Sequence, residues 1–447
     1  MVPPVRRRDR PPGEAVRESP ARILAGRALV GGRLQPLEIA IAEDGRILSM
    51  GRIRSGAPRH DVGDAVILPA ATDLHVHLRS PDGATGPESV AAGTVEAALG
   101  GVTLVGDMPN KSPPVDSVER VDARESIARH KAAVDILLYA SPRRPNSISG
   151  LARRAGGFKV FLSPTTGMDD PPSATELDEL LGRLAVAGLP VSVHAEDPTL
   201  FRTQVPPTDP VGWNLQRPPE AEAAAIRRLV AAPPGLRLHI AHVTTPASAA
   251  VLRAAGISFE ATPHHLLLSA RPGADARFKV NPPLRSEADR LGLWEAFCRG
   301  EVPCLASDHA PHSAEAKGLG FERAPSGMPG VDTMLPLLLA RVRAREVSLP
   351  ILVASACERP ARWLGQPLGR IAPGHRANLL VVDFRARVRL AGNDRAGRWT
   401  AFEGREVIRP SEHWRDGERI VAGGEYVGRP TGRVVRPEYA PGEVVPS

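Results

Sequence analysis

The sequence predicts an α/β fold, a (β/α)8 TIM barrel carrying a small composite β domain built from the N- and C-terminal segments. Three observations predict it. Eight short apolar segments, most of them running into polar or ionisable residues, alternate with helix-like stretches rich in Ala, Leu, Arg and Glu. The alternation runs from about residue 70 to about residue 345, close to the ~250 residues usual for such a barrel. Outside it, both chain ends revert to short strand-like segments punctuated by glycine.

Taken in order, residues 1–20 are polar and rich in Pro and Arg, the composition of a disordered basic tail. Residues 21–69 form the N-terminal part of the β domain, where Leu37-Glu38-Ile39-Ala40-Ile41 and Arg46-Ile47-Leu48 alternate apolar with polar. The barrel is expected over residues 70–362. Its strands are read at Asp73–Leu78, Val102–Met108, Asp135–Ala140, Phe158–Leu162, Pro190–His194, Leu236–His242, Ile257–Thr262 and Val302–Ser307. Helices fall between them, as at Ser89–Leu99, Ala174–Ala187, Glu220–Ala231, Ala247–Ala255 and Glu287–Cys298. Residues 363–447 supply the C-terminal part of the β domain and a tail, with strand texture at Gly369–Ile371, Ala377–Asp383 and Glu403–Val427. Each β stretch alone is small for a stable core, which favours one composite domain over two independent tails. A doubly wound open sheet is the alternative, but no GxGxxG follows the first strand.

Composition narrows the function classes. The 447 residues are 42% hydrophobic and 24% charged, and no uninterrupted apolar run approaches a membrane span. No apolar signal region follows Met1–Arg10, so a cytoplasmic protein is expected. Cys298, Cys304 and Cys357 lack CxxC spacing and read as packed, reduced thiols. The net charge of +7 is spread along the chain and aromatics make up only 4%, which argues against a nucleic-acid platform and for an anionic small molecule.

Functional residues of a barrel lie where its strands end. In Asp73-Leu74-His75-Val76-His77-Leu78-Arg79, residues two apart share a face, so His75 and His77 present two imidazoles to one metal. Two polar residues on a solvated face would look the same. The fourth strand carries Lys159, and the fifth ends in His194-Ala195-Glu196. The sixth ends in His239-Ile240-Ala241-His242 and the eighth in Ser307-Asp308-His309-Ala310-Pro311-His312. His194 or His242 alone reads as readily as a hydrogen-bonded core histidine. Together, His75, His77, Lys159, His194, His242 and Asp308 bring six ligand-type groups to one barrel face. Such a set suits Zn2+ and also fits Mn2+, Co2+ or Fe2+. Lys159 must lose its proton to join it, and as a carbamate it would bridge two ions; paired with a nearby Asp or Glu it would be structural.

Further motifs run in order: Gly-Gly-Val-Thr at 100–103, Asp-Met-Pro-Asn at 107–110, Phe-Lys-Val-Phe at 158–161, Pro-His-His-Leu at 263–266 and Asn-Pro-Pro-Leu-Arg at 281–285. With the strand-end motifs, they make the chain from about Ile23 to Val427 resemble the amidohydrolase superfamily. Within it, the resemblance is to the cyclic-amidohydrolase branch of dihydroorotases, allantoinases and hydantoinases. Arg79, Asn110 and His312 occupy the three places where the dihydroorotase pattern meets a substrate carboxylate. The branch member resembled is therefore the type I, lysine-bridged form common among archaeal sequences.

This resemblance implies two Zn2+ ions per subunit, His75, His77 and Asp308 on one, His194 and His242 on the other. Carboxylated Lys159 and a nucleophilic hydroxide would bridge them. Asp308 is then the catalytic proton carrier; Arg79, Asn110 and His312 hold the substrate carboxylate, and Asn281 with backbone near Pro325–Gly327 takes the ring. The implied reaction is the reversible cyclisation of N-carbamoyl-L-aspartate to (S)-dihydroorotate in pyrimidine biosynthesis. The expected partner is that small molecule, with no nucleic acid and no membrane; the resemblance also allows a homodimer and association with aspartate carbamoyltransferase. His264 and His265 read as supporting or core histidines. The loop Ser313–Pro325 reads as a cover for the site or as an ordinary surface loop. Ser80–Gly83, Pro87 and Lys111 depart from the family pattern, Lys111 standing where Thr is common. The alternatives are an allantoin or hydantoin hydrolase, and an inactive dihydroorotase-like structural subunit, which six filled ligand positions argue against.

Overall fold

The computed structural model describes residues 19–79, 89–143, 147–168, 170–204, 206–394 and 398–439. The expected basic tail, as far as residue 18, and the departures at Ser80–Gly83 and Pro87 lie outside the described residues.

The chain begins with four strands, β1 (Arg22–Val30), β2 (Arg33–Ile41), β3 (Ile47–Gly51) and β4 (Arg59–Pro69). β1 and β2 form a hairpin whose two-residue turn, Gly31-Gly32, has φ of +57° and +76°. Both values are positive, the twist-matched arrangement that glycine permits at no steric cost. β4 pairs in parallel with β1 and antiparallel with Leu379–Val382, to which Glu412–Arg415, Glu418–Ala422 and Glu425–Tyr426 are added in turn. Both chain ends therefore share one eight-stranded sheet. Gly369–Ile371, expected to be a strand, is not one. Gly369 has φ +75°, and a Cβ there would sit 2.1 Å from the Cys357 carbonyl, so the segment is a tight turn and Ile371 packs into the sheet's core.

β4 leads through Ala70 into the barrel. Its strands are β5 (Ala71–Val76), β6 (Val102–Asp107), β7 (Asp135–Ala140), β8 (Gly157–Phe161), β9 (Val191–His194), β10 (Leu238–Ile240), β11 (Ser258–Ala261) and β12 (Cys304–Leu305). They stand in chain order, parallel throughout, and a bridge between Val76 and His309 brings the two ends of the sheet together. Every strand residue is buried, as parallel strands enclosed by helices require. The helix Ala174–Ala187 shows how that layer is built. Ser173 and Glu176 form a capping box, Leu177, Leu180, Leu181 and Leu184 face inward, and Gly188 stops the helix. Burying each such leucine stabilises the fold by roughly 1.5–3 kcal/mol.

Barrel and sheet are also joined by charge. Asp135, fully buried at the start of β7, accepts hydrogen bonds from Arg376 (2.7 Å), Arg415 (2.9 Å) and the Arg433 backbone (3.0 Å). Among the described residues no helix is long and apolar enough to cross a membrane.

Candidate active site

The C-terminal ends of β5, β9 and β10 and the turn after β12 converge. Asp73 ties two of them together, its Oδ1 accepting the backbone N–H of His75 (3.1 Å) and of Ser307 (3.0 Å). His75, His77 and Asp308 each direct one ligand atom to a common point, all within 4.8 Å of one another. The His75 ring is 5.1 Å from that of His77 and 5.2 Å from that of His242, and the His194 and His242 rings are 4.6 Å apart, so the four imidazoles form a continuous row. Asp308 and His242 both have positive φ, 47° and 39°. Non-glycine residues are held there only where the surroundings over-determine them, a pattern concentrated at functional sites.

Hydrogen-bond partners decide which nitrogen of each ring carries its proton. His75 Nδ1 lies 2.6 Å from Glu260 Oε1, and His77 Nδ1 lies 2.6 Å from Asn110 Oδ1. Each Nδ1 therefore donates, which leaves the Nε2 lone pairs facing Asp308 Oδ1 at 3.3 Å and 3.0 Å. His194 Nε2 donates to Glu196 at 2.7 Å, so its Nδ1 lone pair faces His242 Nε2 at 3.0 Å. Burial holds all four imidazoles below their ordinary pKa and thus neutral. Neutral imidazole nitrogens and a carboxylate aimed at one another, with the protons of His75, His77 and His194 turned outward, are the donor set of a divalent metal site. The residues present fit such ions.

Lys159 is fully buried, and its ammonium donates to Ser192 Oγ at 3.4 Å. Burial pushes it down to about 8, and its Nζ lies 5.3 Å from the ring of Phe161, a residue of the histidine cleft. Arg79, Asn110 and Asn281 line the same cleft as the histidines. Arg79 Nη1 is 3.1 Å from His312 Nε2, which lies 3.0 Å from the Ser326 carbonyl. Asn110 also donates to the Thr166 carbonyl at 2.9 Å, and Asn281 Oδ1 accepts from Trp213 Nε1 at 3.1 Å. His264 and His265 sit on a short helix, Pro263–Leu267, where His265 Nε2 lies 3.1 Å from the Pro282 carbonyl.

Residues 66–408 match the model of the amidohydrolase family. The chain belongs to the amidohydrolase family. This amidohydrolase is 36% identical over 403 residues to a dihydroorotase of Halobacterium salinarum, covering 87% of this chain and 94% of the relative. It is 37% identical over 379 residues to a dihydroorotase of Methanopyrus kandleri, with coverage of 81% and 86%. Over 415 residues it is 32% identical to one of Thermoplasma acidophilum, with coverage of 92% and 97%. In fold it is similar to the L-hydantoinase (dihydropyrimidinase) of Arthrobacter aurescens, with a TM-score of 0.85, 25% identity, and 93% and 99% of the two chains covered.

The amidohydrolase supports its histidines with residues that strand-end reasoning missed. Glu260 on β11 binds both His75 and, at 3.0 Å, His239. Burial alone would raise this carboxyl, but the two imidazoles hold it well below the carboxylate range. Arg217 grips Glu196 with Nε at 3.2 Å and with a second, shorter contact, and donates to Ser163 Oγ at 3.0 Å. A glutamate inside the apolar segment Ser258–Ala261 was the one available signal, since buried charge needs a partner.

The loop that follows the eighth strand is held down by two lysines. Lys317, at the end of the short helix Ala314–Lys317, donates to the carbonyls of Pro325 (2.9 Å) and Lys279 (3.3 Å). Lys279 donates to those of Phe321 and Glu322, both at 2.8 Å. From the C-terminal segment, Trp399 Nε1 donates to the His312 carbonyl at 2.8 Å.

Proposed function

We propose that this amidohydrolase is a dihydroorotase, interconverting N-carbamoyl-L-aspartate and (S)-dihydroorotate in the cytoplasm. The observation that carries the reading is the pairing of Arg79 with His312 at the rim of the metal-type cluster. A guanidinium there is matched to a carboxylate, which dihydroorotate has and a simple hydantoin lacks. Proteins named dihydroorotase among its relatives support it further.

His75, His77 and Asp308 would hold one ion, His194 and His242 a second, with Lys159 as a carbamate between them and Zn2+ as the metal. Bound there, the ions supply an activated water and polarise the scissile carbonyl. Arg79, Asn110 and His312 hold the substrate carboxylate, and Asn281 orients the ring. In the hydrolytic direction a water oxygen bonds to the ring carbonyl carbon and the ring C–N bond breaks. Asp308 carries the water's proton to the leaving nitrogen; ring closure runs the same transfers backwards and releases water. Burial raises the Asp308 carboxyl from its ordinary value. A homodimer and association with aspartate carbamoyltransferase belong to the same proposal, and gel filtration with and without that enzyme reads both.

The hydantoinase-like fold favours a second reading, hydrolysis of a hydantoin or of allantoin. Purified, metal-analysed protein assayed with N-carbamoyl-L-aspartate, allantoin and hydantoin separates the two. Dihydroorotate formation is expected, with a carbamate on Lys159 in the mass spectrum; turnover of allantoin or hydantoin alone would overturn the assignment.

A further inference from the structure

Lys111 is almost fully buried at the turn after β6. Its ammonium donates to the Leu78 carbonyl and to Asp107 Oδ1, both at 2.8 Å. Asp107 Oδ1 also accepts the Leu78 N–H at 3.1 Å. From the helix Val118–Lys131, Arg124 donates to the Leu78 carbonyl at 3.0 Å and to Asp107 Oδ2 at 3.1 Å. Both backbone groups of one residue are thus gripped by three buried charged side chains. Leu78 is the single residue between His77 and Arg79.

The grip has two consequences. Charge-assisted bonds to a carbonyl are short and directional, so the peptide joining Leu78 to Arg79 is fixed in plane, and with it the point from which the Arg79 side chain leaves the backbone. Arg124 matches the charge of Asp107, and Lys111, which burial pushes down to about 7, adds a fraction of a positive charge beside Arg79, in surroundings that screen it little. A threonine here is too short to span from the turn to both the Leu78 carbonyl and Asp107, and it would bring no charge.

We propose that Lys111 is a positioning residue that, with Asp107 and Arg124, places Arg79 to receive the carboxylate of an anionic cyclic amide. This rests on the dihydroorotase reading. The placement predicts a defect in substrate binding with the metal cluster intact: Lys111 bonds the Leu78 carbonyl, on the Arg79 side, whereas the Leu78 N–H, on the His77 side, is held by Asp107, which keeps Arg124 as a partner when Lys111 is removed.

Steady-state kinetics with dihydroorotate on full-length, metal-loaded wild type, K111M and K111R test it, alongside metal content and melting temperature. K111M is expected to raise KM by roughly tenfold to a hundredfold, the scale of a small misplacement of a binding group. Its kcat and metal-to-protein ratio should stay near wild type, and K111R should recover most of the KM. An unchanged KM in K111M, or a loss carried by kcat or by metal content, overturns the proposal. Should K111M fail to fold, K111Q, which keeps a donor but no charge, takes its place under the same criteria. Failure of both to fold makes Lys111 structural and overturns the proposal as well. A wild type that does not turn over dihydroorotate overturns the functional reading itself, whereas an active wild type with an unaltered K111M overturns only the role of Lys111.

Discussion

Asp308 faces two imidazole lone pairs with one oxygen and lines the cleft, so on the proposed reading ligation and proton transfer would meet on one side chain. Replacing it by asparagine keeps size and burial and removes the proton acceptor. D308N is expected to lose at least about 10²-fold in kcat while melting within a few degrees of wild type; retained turnover would take Asp308 out of the proton path. Glu260 acts one step further back, through His75 and His239. E260Q is expected to bind metal about 10–100-fold more weakly, read by competition with a chelator, and an unchanged affinity would make Glu260 a packing residue. The histidines were legible in the sequence because strand ends advertise them. Glu196 stood at the same strand end, two residues from its partner His194; the roles of Glu260 and Arg217 were not legible, since their partners are fixed by barrel closure and not by spacing along the chain.

At the scale of an element, the segment from Ser313 to Gly327 is fastened by ammonium groups that bond to main-chain carbonyls. Burial, then the neighbouring Lys279 charge, pushes Lys317 down to about 7. The unfolded chain keeps that proton up to ~10.4. Between about pH 7 and that value the unfolded state binds more protons, so this lysine makes the fold more stable as pH rises, and the gain is lost as pH falls through the folded value. Denaturant unfolding of wild type and K317M from pH 7 to 10 isolates the effect. Wild-type stability should climb relative to the variant, and parallel curves would refute the assignment. The short helix Ala314–Lys317 within this segment, like the turn at Gly369, escaped the sequence reading. Such local structures are decided by what packs against them, here Trp399 and the Cys357 carbonyl. The longer helices carry their own start signals, a serine N-cap followed by acidic residues, and were placed to within a residue or so, as at Ala174–Ala187 and Glu287–Cys298.

The whole molecule was legible because eight strand-helix alternations admit few topologies, and because two small β segments with exposed edges need each other. The intimacy of the two bodies was not. β4 runs almost directly into β5, Asp135 collects arginines from the C-terminal segments, and Trp399 reaches the backbone of His312. W399F deletes that last bond, worth about 1 kcal/mol or roughly fivefold. It is expected to appear as a higher KM for dihydroorotate with kcat preserved, and an unchanged KM would confine Trp399 to packing. The inward-facing lone pairs of His75, His77, His194 and Asp308 carry one more consequence. Groups that repel one another when brought together by folding make any cation that separates them a ligand of the native state alone. The amount of folded enzyme in a cell should then track the supply of that metal, so that scarcity lowers the protein's abundance as well as its turnover.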